Sequence, residues 1–541
     1  MSDTVNGNGG IGRASAFLAS GTIVSRVLGF VKLIVLASII GQYNDSADAF
    51  ALANQLPNTV YVIVAGGILT AVLVPQIVRA SAHLDGGTAY INKLLTLALS
   101  ILAGTTIIGT LLAPAITGFI GINLPADQKD LAIAFAYWCL PQMFFYGLYT
   151  LLGEVLNARR MFGPFTWVPV LNNVVAIVGL LIFGAVFGAD ATGERAASEF
   201  TPAMVALLAG SATLGVIVQA VVLFYFWKRI GLRFRPDFHF RGVGLGAAGK
   251  MATWTFGMLV LTTIAGIVET QVVSLATGEA SIAVLATAWL IFMLPHSVIT
   301  VSVATAYFTR MSEHAAVEKF DLVKTDASSA IRGTTLIIVL ATAVIAICAY
   351  PFAAVFVAPF DQIQGIGNVI IAFILGLIAF CILFVLQRTF YALGDTRTPF
   401  FFTLFQVVLI VLGVLGCALL PVQWIAVGIA LVITVSGVLQ CVLAALLLRR
   451  RLGGIDGRRI VRSLVKYLTA VIIPIGLGLT LLLLLGGTVE GGFAVQSRLT
   501  AIASMLIIGV VMSAAYFGLL LVMRSGELTA FLAPLQRRLG R

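Results

Sequence analysis

The chain has 541 residues, 60% of them apolar and only 10% charged, with a mean hydropathy of +1.07. Soluble domains carry about 25% charged residues, so 22 acidic and 33 basic residues cannot cover the surfaces that a soluble chain of this length exposes. Composition therefore excludes a soluble protein, and the net charge of +11 becomes a question of where in a membrane protein the cations sit.

About 20 mostly apolar residues cross a bilayer as a helix. Stretches of that kind follow one another near 15–41, 46–78, 90–116, 128–154, 164–188, 201–227, 248–277, 281–309, 330–357, 366–393, 398–420, 423–448, 462–486 and 498–523, which predicts about fourteen spans in an all-α polytopic membrane protein. The first run is too long for a cleaved leader and lacks a small-residue cleavage site, so it reads as a retained span. Residues 1–14 form a cytoplasmic tail, 15–228 a first lobe of six spans, 229–247 a cytoplasmic linker and 248–450 a second lobe of six. Residues 451–525 add two further spans and 526–541 a basic cytoplasmic tail. Connections are short, which leaves no room for a soluble catalytic or nucleotide-binding domain. Residues 244–250 resemble a phosphate-binding loop, but Met251 stands where a Ser or Thr would hold magnesium and no strand precedes it.

Lys and Arg near span ends stay on the cytoplasmic side. With residue 1 inside, only Lys129, Arg195 and Arg498 among the basic residues fall on outer segments, and both termini are cytoplasmic. The outer segments instead carry Asp45, Asp127, Asp130, Asp190, Glu194, Glu199, Glu279, Asp361 and Glu490. Topology accounts for the basic loops without a nucleic-acid partner. Cys139, Cys348, Cys381, Cys417 and Cys441 lie in apolar runs without a C-x-x-C pair and read as packing thiols. His83, His239, His296 and His314 lack metal-ligand spacing. No metal, catalytic constellation or enzyme activity is expected.

Two short repeats divide the chain. Leu56-Pro57-Asn58-Thr59-Val60 in the second span returns as Leu294-Pro295-His296-Ser297-Val298 in the eighth. Asn157-Ala158 with Pro164-Phe165 returns as Tyr391-Ala392 with Pro399-Phe400, in the same order and at nearly the same spacing. Spans 1–6 and 7–12 thus read as two related halves of the same orientation, related by a pseudo-two-fold along the membrane normal. Transporters of this construction bind between halves and rock one against the other. Pro57 and Pro295 each remove a backbone hydrogen bond within a span; they are hinge candidates or static kinks.

Charges within spans are costly and usually face a cavity or a partner. The first span holds Arg26 and Lys32. Ser15, Thr22, Ser25, Gly29 and Lys32 follow helical spacing on one face, with Arg26 about 100° around. A planar guanidinium fork and a mobile ammonium suit phosphate oxygens, so this stripe predicts an anionic ligand in an aqueous interior. An internal ion pair with Asp48 or Glu269 is the competing account. Glu269 in the seventh span shares a face with Thr262 and Gly266 and reads as a proton site, a cation ligand or the partner of Arg26.

Ser25-Arg26-Val27-Leu28-Gly29-Phe30-Val31-Lys32, then Asp48-Ala49-Phe50 and Leu56-Pro57-Asn58, and finally Phe390-Tyr391-Ala392-Leu393-Gly394-Asp395-Thr396-Arg397-Thr398-Pro399 together resemble the MurJ/MviN lipid II flippases of the multidrug/oligosaccharidyl-lipid/polysaccharide exporter superfamily. The resemblance runs in order from residue 14 to about 450. It implies transfer of undecaprenyl-pyrophosphoryl-MurNAc-pentapeptide-GlcNAc (lipid II) from the inner to the outer leaflet of the bacterial cytoplasmic membrane for peptidoglycan synthesis. It also implies two lobes around a cationic cavity, two final helices forming a groove for the lipid tail, and cell-wall synthesis proteins as partners alongside membrane lipids. Ser25, Arg26, Gly29, Lys32 and Asp48 then fall where such proteins bind substrate, with Arg26 and Lys32 at pyrophosphate-contacting positions and Asp48 as their acidic partner. The chain departs from the pattern at Tyr61 and Leu290, where the family commonly has basic residues, and at Gly66, often acidic. An exporter of another lipid-linked glycan or of drugs, or a non-transporting cell-wall scaffold, is the alternative. No cofactor is expected; membrane potential, sodium or protons could each supply the driving force.

Overall fold

A computed structural model describes residues 7–68, 88–159, 161–229, 234–239, 249–276 and 278–529, with side chains in the first helix from Ser20 onward. Ser15, the surroundings of Gly66, residues 69–78 of the second predicted span, the phosphate-loop-like 244–250 and the tail beyond 529 lie outside the described residues or their described side chains. Every regular element among the described residues is helical, as lipid requires of a backbone that must satisfy its own hydrogen bonds. Thirteen helical stretches are long and apolar enough to cross a membrane, and they coincide with the predicted spans except the second. There the described helix opens with Asp45 and Asp48 and ends at Ile68.

Contacts divide the chain into two compact units, Met1–Gln271 and Val272–Arg541. The first unit contains α1 (Gly7–Ile40), α2 (Asp45–Ile68), α3 (Thr88–Leu111), α4 (Ala113–Ile120), α5 (Ala126–Cys139), α6 (Gln142–Ala158), α7 (Phe162–Phe187), α8 (Pro202–Arg229) and α9 (Gly249–Val273) up to Gln271. Gln271 Nε2 donates to the Phe119 carbonyl at 2.8 Å and the Gln271 carbonyl accepts from Asn123 Nδ2 at 2.7 Å, so α9 is fastened to the first unit.

With lipid tails as apolar as leucine, helix association depends on close packing and polar contacts. Between α7 and α8 small residues serve this reciprocally: Gly179 of α7 lies against Ser211 of α8, and Gly215 of α8 lies against Asn172 of α7. The apolar core joins Leu94, Leu95 and Leu102 of α3 to Leu151, Leu152 and Val155 of α6 and to Leu223 and Trp227 of α8. The Trp227 indole N–H finds the Leu152 carbonyl at 3.2 Å.

The second unit contains α10 (Ile282–Pro295), a π-helical turn at His296–Thr300, α11 (Val301–Ala316), α12 (Phe320–Ile347), α13 (Ala349–Ala354), α14 (Phe360–Ile374), α15 (Leu377–Ala392), α16 (Arg397–Cys417), α17 (Ile425–Leu452), α18 (Gly457–Ala470), α19 (Ile472–Leu484), α20 (Phe493–Gln496) and α21 (Arg498–Val522). Its centre is α12. On one side Leu336, Val339 and Ala343 pack against Tyr467, Met512 and Tyr516 of the last helices, and the Tyr516 hydroxyl donates to the Leu336 carbonyl at 2.9 Å. On the other, Ala330 and Ile331 join a cluster with Leu386, Phe390, Phe402 and Leu448.

Candidate functional site

The first helix shows two different faces. Gly21 leaves room for the Trp167 indole, whose Nε1 would stand 2.8 Å from any Cβ there. One turn on, the Ser25 carbonyl accepts from Asn173 Nδ2 at 3.0 Å, and a Cβ on Gly29 would lie 3.8 Å from the same amide. Small residues at helical spacing thus seat α1 on α7. Ser25 and Gly29 belong to this packed face, and Lys32, which follows on it, enters a cavity within the first unit. Arg26 sits on the other side, exposed beside Val27 and Ile23.

The Lys32 cavity measures about 110 Å³ and is lined by Asn54 of α2, Gln142 and Tyr146 of α6, Asn172 of α7 and Ser211 of α8, with no carboxylate among the described residues of its wall. Its polar groups are held in fixed orientation. Tyr146 OH donates to Gln142 Oε1 at 2.9 Å, Gln142 Nε2 donates to Thr213 Oγ1 at 2.9 Å, and Thr213 Oγ1 donates to the Trp138 carbonyl at 2.7 Å. Asn172 Nδ2 donates to Gln219 Oε1 at 2.9 Å. A buried ammonium costs free energy unless charge or dipoles surround it; here the amides and hydroxyls share the cavity wall with Leu36, Phe50, Leu180 and Leu208. No ion pair involving Arg26, Lys32 or Glu269 occurs among the described residues. Asp48 is buried in the first turn of α2.

A second cavity of about 200 Å³ in the first unit runs between α2 and α9, lined by Gln55, Asn58, Thr59, Thr262, Thr263 and Thr270 among others. Gly266 belongs to its wall, and Glu269 follows three residues later, half-buried. Tyr61, at a departure from the family pattern, donates its hydroxyl to Thr150 Oγ1 at 3.0 Å. Leu290 is half-buried in α10.

The two repeated prolines differ. Pro57 lies inside an unbroken α2, whereas Pro295 ends α10 and is followed by the wider π-helical turn. The buried His296 ring in that turn packs on Phe380 at 4.7 Å and Phe384 at 4.9 Å. Such insertions distort the hydrogen-bond ladder and recur at functional sites.

The motif from Phe390 to Pro399 is a turn. Gly394 adopts a left-handed conformation (φ 73°) that closes α15, and Asp395 opens α16 by accepting from the Thr398 N–H at 2.9 Å and the Thr398 hydroxyl at 2.7 Å. Asp395→Ala removes that cap and costs about 1 kcal/mol, seen as a lower melting temperature of the purified protein, while Asp395→Asn retains most of the stability. Equal melting of wild type and Asp395→Ala contradicts the capping role.

Polar groups that a search for charges passes over prove the more connected ones: Gln142, Asn172, Asn173, Thr213 and Gln219. An amide within an apolar span is itself a signal, because its unmet hydrogen bonds are costly in lipid. In the second unit, buried Asp326 meets Arg310 Nη2 at 2.9 Å and lies 2.9 Å from His314 Nδ1. Arg332 is buried against Glu527.

A profile of the family described as "Lipid II flippase MurJ" matches residues 36–522; Arg26 and Lys32 precede that stretch. A Rickettsia prowazekii protein named "Probable lipid II flippase MurJ" is 26% identical over 418 residues, 73% of this chain and 76% of the relative. A Haemophilus influenzae protein of the same name is 25% identical over 453 residues, 78% of this chain and 83% of the relative. Among solved structures, "Lipid II flippase MurJ, inward closed conformation" superposes with a TM-score of 0.68 at 17% identity, covering 93% of this chain and 99% of that one. An inward-facing multidrug resistance MATE family transporter of the MOP superfamily gives 0.63 at 17% identity, covering 80% of this chain and 96% of its own.

Proposed function

We propose, on the premise that this chain belongs to the MurJ family of lipid II flippases, that it carries the undecaprenyl-pyrophosphate-linked peptidoglycan precursor from the inner to the outer leaflet of the bacterial cytoplasmic membrane, with both termini cytoplasmic. It is a multi-pass membrane protein. The observation that carries the reading is the state of its first span: Arg26 is exposed and Lys32 lines a cavity with no carboxylate among its described lining residues. Two cations without a protein counter-charge among the described residues suit a pyrophosphate, whose oxygens accept from both guanidinium and ammonium. Ser25 and Gly29 set the approach of α1 to α7 that admits Lys32, and Asp48, buried in the first turn of α2, is the acidic residue of the site. Transport proceeds by alternating access, with Pro57 and Pro295 as bending points and Glu269, a carboxylate close to the α2–α9 cavity, as the site for a coupling proton or sodium ion.

A second reading, export of another lipid-linked glycan, is favoured by one feature: Tyr61 and Leu290 replace basic residues, leaving fewer contacts for a sugar-peptide headgroup. The two readings share the pyrophosphate and differ in cargo. Depletion of the protein in its host, followed by assay of lipid II in the outer leaflet, separates them. Loss of outer-leaflet lipid II supports the first reading, and retention with loss of another glycan supports the second.

A further inference from the structure

The last two spans lie outside the internal repeat, and in lipid no hydrophobic force holds them to the rest of their unit, since lipid tails compete equally for apolar faces. Polar contacts must supply the specificity, and the second unit concentrates them at one turn of α12. Arg332 there is only 6% exposed. Its Nη1 pairs with Glu527 Oε1, its Nε donates to Ser328 Oγ at 3.3 Å and its Nη2 donates to Ser329 Oγ at 3.3 Å. Ser328 in turn donates to Asp456 Oδ2 at 2.8 Å. Glu527 also accepts from Ser463 and Ser525, each at 3.3 Å.

Asp456 immediately precedes α18, and Glu527 follows the turn after α21. Both flanking turns contain a non-glycine residue in the left-handed region, Asp456 at φ 53° and Arg524 at φ 50°, conformations that persist only where surrounding contacts hold them. The entry and the exit of the C-terminal helical pair are therefore tied to one face of α12, because Ser328 and Arg332 stand one turn apart. Burial would raise the Glu527 carboxyl, but the backbone N–H, Arg332 and the Ser525 hydroxyl outweigh it and hold it below the ordinary glutamate value.

We propose that Arg332 and Glu527 form an ionic clasp that makes α18–α21 one rigid body with α12, a pair of positioning residues that touch no substrate. The clasp holds whatever the cargo. Its test is amide hydrogen exchange on the full chain in lipid nanodiscs, which reads local opening directly. Glu527→Gln and Arg332→Met each raise exchange in 457–470 and 516–529 by about tenfold or more, with 360–417 unchanged. The charge swap Arg332→Glu with Glu527→Arg brings exchange back toward wild type, a rescue that loss of packing alone does not give. A paired apolar replacement, Arg332→Met with Glu527→Met, separates positioning from the penalty of a lone buried charge: the proposal requires raised exchange there too. Wild-type exchange in the paired apolar variant, unchanged exchange in both single variants, or a swap as open as the single variants would each overturn it. Should a single variant fail to accumulate, the swap and the apolar pair decide.

Discussion

Arg26→Ala combined with Lys32→Ala lowers lipid II transfer by purified protein in vesicles about a thousandfold, while insertion and melting temperature stay at wild-type values. A hydrogen bond to a charged group contributes about 1.5–3 kcal/mol, so losing two such contacts to a pyrophosphate removes about 4 kcal/mol, nearly three factors of ten. Stability is spared for a specific reason. Neither cation is in an ion pair among the described residues, so their removal breaks no salt bridge described there. Deleting Lys32 also relieves the desolvation of a cation in a cavity with no acid among its described lining residues. Lys32→Arg keeps the charge but enlarges the head in about 110 Å³, so it preserves part of the activity. Full transfer by the double alanine variant removes the assignment of these residues to substrate.

Gly215→Val lowers the stability of the first unit by more than loss of the Asp395 cap lowers that of the second. A Cβ at this position would lie 2.5 Å from Asn172 Oδ1 and 2.7 Å from the Asn172 carbonyl oxygen. The amide can rotate, but the carbonyl belongs to the α7 backbone, so the two helices must part. Overpacking of this kind costs about 1–3 kcal/mol, and more where backbone moves. Separation also breaks the Asn172–Gln219 hydrogen bond and shifts Asn173 from the Ser25 carbonyl, loosening α1 and the Lys32 cavity together. The measurement is the melting temperature of purified Gly215→Val beside Gly104→Val, a glycine with open space around it. Equal melting of the two shows that α7 and α8 do not depend on this contact.

Apolar length made the helices legible, because a span has to bury its own backbone polarity and little else competes. It did not reveal partners. The 3.6-residue period placed Ser25, Gly29 and Lys32 on one face, but whether that face met water or protein depended on Trp167 and Asn173 of α7, distant in sequence. The same limit hid Arg332, which reads as another cytoplasmic marker until Glu527 arrives from the far end of the chain. Pro295 announced an irregularity, yet Pro57 in the same motif leaves α2 unbroken. Their neighbours differ as well: the His296 ring is buried against Phe380 and Phe384, and the position after Pro57 holds an exposed asparagine. Two side-chain amides likewise fasten Gln271 of α9 to Phe119 and Asn123, contacts that carry no periodic signature.

Outer-leaflet lipid II, measured after depletion of the protein in cells with no other flippase for that lipid, tests the central claim most directly. Lipid II disappears from the outer leaflet and accumulates inside, wild-type protein restores it, and the Arg26→Ala, Lys32→Ala variant does not. Unchanged outer-leaflet lipid II after depletion would contradict the account.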